Sequence, residues 1–160
     1  MKRRTLIYTL IACAILIPQL DHDRFLVLYD IRDHKALMDI PLDDSNEFTM
    51  RWIHSVELEP WEETFRIDDD LEIILDRTRF KAFGAGVPES AGKRVDTSDG
   101  YINFLDIDQP MESLVYSISP VAKHTLIVGN QEYPLYKDLS ADIGVEFIIE
   151  EKLAFLAYFR

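Results

Sequence analysis

The sequence predicts an all-β fold: a single β-sandwich or partly closed barrel of about eight to ten short antiparallel strands, preceded by an N-terminal hydrophobic helix. Three observations predict it. Short runs rich in β-branched and aromatic residues recur along the chain. Turn-forming clusters, Asp43-Asp44-Ser45-Asn46, Asp68-Asp69-Asp70, Asp99-Gly100 and Gly129-Asn130, fall between those runs. In the middle of the chain no convincing amphipathic helix of about 12 or more residues competes with them.

The first element is the N-terminal one. Lys2, Arg3 and Arg4 precede Thr5 to Ile17, 13 residues without a charge. A basic flank before a short apolar core is the pattern of a secretory targeting segment. Holding the basic residues in the cytoplasm leaves everything after Leu20 outside it. Thr5 to Leu20 offers 16 residues, fewer than the roughly 20 that cross a bilayer comfortably. No convincing A-x-A cleavage site follows. Residues 1–20 are therefore read as a signal anchor in the cell membrane, with a cleaved signal peptide and a secreted product as the alternative, and residues 21–160 as one extracytoplasmic β-domain. Leu10-Ile11-Ala12-Cys13 fits a lipobox, but Ala14-Ile15-Leu16-Ile17 stays apolar where a lipidated chain turns polar, so Cys13 reads as a small residue in a helix.

The β-runs follow in order: Arg24 to Tyr29, Ala36 to Leu42, Glu47 to Val56, Trp61 to Ile67, Leu71 to Phe80, Tyr101 to Ile107, Leu114 to Ser119, His124 to Val128 and Val145 to Ile149. Leu153 to Phe159 reads as a final strand or a short helix packed on the sheet. At 160 residues one domain can bury roughly two thirds of its unfolded surface without a disulfide or metal. The single cysteine excludes an intramolecular disulfide and a zinc site of several thiolates. With 17 basic against 29 acidic residues the chain carries −12, which disfavours nucleic acid and anionic lipid and suits a cationic partner surface. The aspartate runs lack the alternating ligands, central Gly and closing Glu of an EF-hand loop, and are read as solvated turns.

The stretch Glu47 to Ile67 places polar residues where period two demands apolar ones. Phe48, Met50, Trp52, His54 and Val56 share one face of the first strand, and Trp61, Glu63, Phe65 and Ile67 one face of the second. A four-residue link, Glu57 to Pro60, would set Val56 opposite Trp61, His54 opposite Glu63 and Trp52 opposite Phe65. His54 and Glu63 would then form a partly buried, charge-assisted pair walled by Trp52, Trp61 and Phe65. Its plainest role is structural; ligand or partner recognition follows, and catalysis comes last. Ser55 alternates to the opposite face from His54 and no oxyanion hole is identifiable, which weighs against a nucleophile-base pair. Glu57 falls at the strand end on the wrong face to join His54 and Glu63 around a metal, so no metal or cofactor is expected.

Phe83-Gly84-Ala85-Gly86-Val87-Pro88, followed by Gly92-Lys93-Arg94, resembles a phosphate loop only loosely. Gly86 to Gly92 leaves five residues where a Walker A loop has four, Arg94 replaces its Ser or Thr, and Glu89 takes the last glycine position of the dinucleotide fingerprint. A structural loop is the plainer reading, and a backbone amide nest for a carboxylate the rival.

Trp52-Ile53-His54-Ser55-Val56-Glu57, then Pro60 and Glu63, then the 83–88 loop and Asp99-Gly100, resemble in this order the bacterial family known as domain of unknown function 1850, over roughly residues 20 to 150. The resemblance implies a small extracytoplasmic domain that accompanies the fused permease of tripartite ATP-independent periplasmic (TRAP) transporters of the TAXI type. It implies no catalytic residue. The family's characteristic positions fall here on His54, Ser55, Glu57, Glu63, Gly84, Gly86 and Pro88. The expectation is an anchored, externally facing, non-catalytic accessory domain in which the His54/Glu63 hairpin and the 83–88 loop form one patch for the permease or its solute-binding protein. The alternatives are a secreted hydrolase-like enzyme using His54 and Glu63, and a structural cell-surface module.

Overall fold

A computed structural model describes residues 22–81 and 92–153. The expected N-terminal helix, the 83–88 loop with Gly84, Gly86 and Pro88, and the run from Ala154 onward lie outside the described residues. Within them the chain is mostly β, with almost no helix. Its strands are β1 (His22–Asp30), β2 (Ala36–Pro41), β3 (Glu47–Ile53), β4 (Pro60–Ile67), β5 (Ile73–Phe80), β6 (Arg94–Asp96), β7 (Ile102–Leu105), β8 (Gln109–Pro110), β9 (Leu114–Ile118), β10 (Thr125–Val128), β11 (Gln131–Tyr133) and β12 (Ile143–Leu153). A single helical turn, α1 (Leu135–Asp138), lies between β11 and β12.

These strands form two antiparallel sheets. The smaller has the order β2-β1-β12-β9; the larger runs β11-β10-β3-β4-β5-β7-β6 with β8 beside β5. Because the sheets remain separate, the barrel is not closed. Leu26 and Leu28 of β1 and Val145 and Phe147 of β12 meet Phe48 and Met50 of β3, Phe65 of β4 and Leu126 of β10 in one core. Phe48 stacks on Phe65 with ring centres 5.1 Å apart and reaches Phe147 of the other sheet at 6.3 Å. A second cluster, Trp61, Phe80 and Phe104, fills the far end of the larger sheet.

Most expected strands are present, with corrected ends. The third stops at Ile53 rather than Val56, and the last runs from Ile143 to Leu153. The strands absent from the sequence reading, β6, β8 and β11, are three, two and three residues long, too short for alternation to show. The aspartate turns bond their own backbone: the carboxylates of Asp43, Asp68, Asp96 and Asp99 each accept the backbone N–H two residues on, at 2.9 to 3.0 Å. These are Asx turns, and they explain why acidic residues collect between strands. Gly92 has φ +86°, and a Cβ there would stand 2.3 Å from the backbone oxygen of Leu105, so only glycine fits.

Phe65, 1% exposed, links the two sheets through Phe48. Phe65→Ala is expected to lower unfolding free energy by about 3–5 kcal/mol, measured as a fall in the urea midpoint at unchanged slope.

Candidate functional site

The β3–β4 register differs from the expected one. Met50, not His54, stands opposite Glu63, and Trp52 stands opposite Trp61, not Phe65. The four-residue link does not form. β3 ends at Ile53 and β4 starts at Pro60, and residues 54–59 make a wider turn. The N–H of Leu58 donates to the oxygen of His54 at 3.0 Å, and the N–H of His54 to the oxygen of Glu59 at 2.9 Å. Leu58 closes the turn in the left-handed region, at φ +57°. This six-residue turn takes up two residues more than the expected four-residue link, which moves Glu63 away from His54.

The two halves of the expected pair therefore sit in different places. His54 belongs to the turn. Its Nδ1 is in direct contact with the carboxylate of Glu57 and lies 3.4 Å from the backbone nitrogens of Val56 and Glu57. Protonated, the ring donates to Glu57; neutral, it accepts from the two amides. Glu57, which the sequence reading put on the wrong face, is thus the actual partner of His54. The imidazole also stacks on Trp61 at 5.4 Å. Ser55 is exposed in the same turn.

Glu63 belongs to the interior. It projects between the sheets, where the O–H of Tyr116 on β9 donates to its carboxylate. Burial pushes the Glu63 carboxyl up, and the Tyr116 hydrogen bond pulls it partly back. Burial, with the Glu63 charge beside it, holds the Tyr116 phenol well above its ordinary range. The walls are aromatic: Trp52 stacks on Trp61 at 5.7 Å and lies 5.9 Å from Tyr116, and Trp61 stacks on Phe80 at 4.9 Å. The Trp61 indole N–H donates to Thr78 Oγ1 at 2.9 Å, and the Thr78 hydroxyl donates to the Glu62 backbone oxygen at 3.0 Å. His124, whose Nδ1 accepts the Ser119 N–H at 3.1 Å, lines the same enclosure; burial pushes its pKa down. The sequence carries a signal for Tyr116 as a buried donor, though not for its acceptor: Leu114, Tyr116 and Ile118 share one strand face, and a phenol on an apolar face needs a partner.

An acid–base couple of His54 and Glu63 has no basis in this geometry. What the arrangement offers is a rigid hairpin end. Lys81, after β5, pairs with Glu59 at 3.2 Å, and the Ile53 N–H donates to the oxygen of Ala122 at 2.7 Å, tying loop 119–124 to the hairpin base. Out of this braced end project Val56, 65% exposed, and Leu58, 73% exposed; Val121, on the tied loop, is 84% exposed. Among the described residues no group of three His, Cys, Asp or Glu side chains is arranged to hold a metal, and no helix is long and apolar enough to cross a membrane.

Comparison with known proteins follows the same segment. The family model described as "Domain of unknown function (DUF1850)" matches residues 48–135, 88 of the 160 residues. The chain belongs to that family. The matched stretch runs from β3 to the start of α1, so it includes the hairpin, Glu63 and Tyr116 but not β1, β2 or β12. No curated protein and no solved structure matches.

Since burial raises the Glu63 pKa on folding, the stability it contributes is full below the ordinary glutamate range. It is lost as pH rises through the raised value. Glu63→Gln keeps the volume and an acceptor for Tyr116. Relative to wild type, this variant is expected to gain unfolding free energy as pH rises from that range through the raised value. Urea titrations of both proteins across pH check this; a difference independent of pH contradicts it.

Proposed function

We propose that this protein is a non-catalytic accessory domain of a TRAP/TAXI-type solute uptake system, held outside the cytoplasm by its N-terminal segment, and that its β3–β4 hairpin end recognises the permease or its solute-binding protein. The transporter comes from the motif resemblance; membership in the family is consistent with it. The single observation that supports a recognition surface here is Leu58. It combines a left-handed backbone, which costs a non-glycine residue about 1–2 kcal/mol, with an apolar side chain left in water at 73% exposure.

The turn accounts for the left-handed backbone, but folding explains neither the choice of leucine there nor its exposure. Leu71 also has positive φ, at +65°, but its side chain packs against the core. Leu58 makes no such contribution, and glycine or asparagine would suit its backbone better. A strained, exposed leucine beside exposed Val56, on a turn fixed by His54 and Glu57, is what a pre-shaped contact for a partner requires. In this reading His54, Ser55 and Glu57 act by shaping and bordering the apex, and Glu63 supports it from within through Tyr116. The rival reading, an enzyme using His54 with Glu63, needs the two side chains opposite each other, and no other observation favours it.

The test is co-expression of the full chain with a TAXI-type fused permease and its solute-binding protein, followed by affinity capture on the chain. Wild type is expected to retain one of the two. Val56→Asp with Leu58→Asp is expected to lose it at an unchanged urea midpoint. Leu58→Gly should be at least as stable as wild type, yet bind more weakly. Equal capture by all three proteins, or capture of neither partner by wild type, refutes the proposal.

A further inference from the structure

We propose a second site: the groove beside the hairpin base, between the end of β3, loop 119–124 and α1, binds a small organic carboxylate with an apolar body. The groove encloses about 450 Å³ and is lined by Arg51, Trp52, Lys123, Pro134, Tyr136 and Lys137, among others. That volume falls in the usual range for small-ligand sites, roughly 300–1,000 Å³.

Charge singles it out. The described residues contain thirteen lysines and arginines, and ten of them stand within 4.0 Å of a carboxylate. Lys35, Lys123 and Lys137 have no such partner among the described residues, and two of these three line this one groove. In a chain carrying −12, a pair of unneutralised ammonium groups sharing a cavity marks where an anion is attracted rather than repelled. Arg51 adds little net charge, because Glu132 holds its guanidinium at 2.8 Å.

The walls define the rest of the ligand. Ile53, Pro134 and Tyr136 present apolar and aromatic surface, with Trp52 at the inner edge, so an inorganic anion would leave them wet. An organic acid places its carboxylate at the lysines and its body against the rings. Backbone hydrogen bonds fix the frame: the Tyr136 N–H donates to the His124 oxygen at 3.3 Å, and the Lys137 N–H to the Pro134 oxygen at 2.8 Å. This site does not depend on Val56 and Leu58, so it stands or falls separately from partner recognition.

Trp52 supplies the readout. With the full chain in lipid nanodiscs at constant ionic strength, phenylacetate is expected to change tryptophan fluorescence saturably, with half-saturation at about 1 mM or below. The neutral isostere phenylacetamide, and inorganic phosphate, are expected to leave it unchanged. Lys123→Gln with Lys137→Gln, both exposed positions, should weaken phenylacetate at least tenfold while preserving the thermal midpoint. The proposal is overturned by any of four results: no saturable change, an equal response to phenylacetamide or phosphate, an unaltered response in the double variant, or saturation by a polyglutamate peptide alone.

Discussion

The pairing of β3 with β4 is the constraint on which the rest depends. Setting Trp52 opposite Trp61 and Met50 opposite Glu63 decides, in one step, which side chains enter the space between the sheets and how many residues remain for the turn. Six residues remain. They are too many for a tight hairpin loop, and they coil into a turn closed by a left-handed Leu58. His54 is thereby directed at Glu57, and Glu63 is left for Tyr116.

Two polar groups that could have met are instead satisfied separately, with different consequences. At the turn, either protonation state of His54 finds a partner, the Glu57 carboxylate or the two amides, so the apex keeps its shape. Between the sheets, Glu63 and Tyr116 form a hydrogen bond that joins β4 of the larger sheet to β9 of the smaller. A buried polar contact of this sort adds little net stability over a hydrophobic pair, but it specifies which residues face each other. Trp61 connects the two regions. It stacks on His54 at one side and Phe80 at the other, and its N–H is anchored on Thr78.

Much of this was legible in the sequence, and what was not has identifiable causes. The runs at 24–29, 36–42 and 61–67 form strands within a residue or two of where alternation put them. The aspartate clusters form turns, because aspartate bonds its own backbone when no ladder claims it. The inward face of β4 was read correctly, including Glu63. Its partner was not, since period two gives a face but not an opposite neighbour; that depends on the turn. The turn was illegible because a leucine at positive φ leaves no local signal: only glycine or asparagine would have announced it. Val56 was read as the last strand residue for the same reason, whereas it lies in the turn and faces solvent. Tyr116, 53 residues from Glu63, was recognisable as a buried donor but not assignable to that carboxylate.

The most direct check on the account is the solution contact pattern of the hairpin, read as proton–proton NOEs in the full chain with selectively labelled histidine, tryptophan and glutamate. Contacts are expected between the Trp52 and Trp61 rings and between the His54 ring and Glu57, with none from His54 to Glu63. Cross-peaks linking the His54 ring to the Glu63 side chain, with Trp52 facing Phe65, would contradict it.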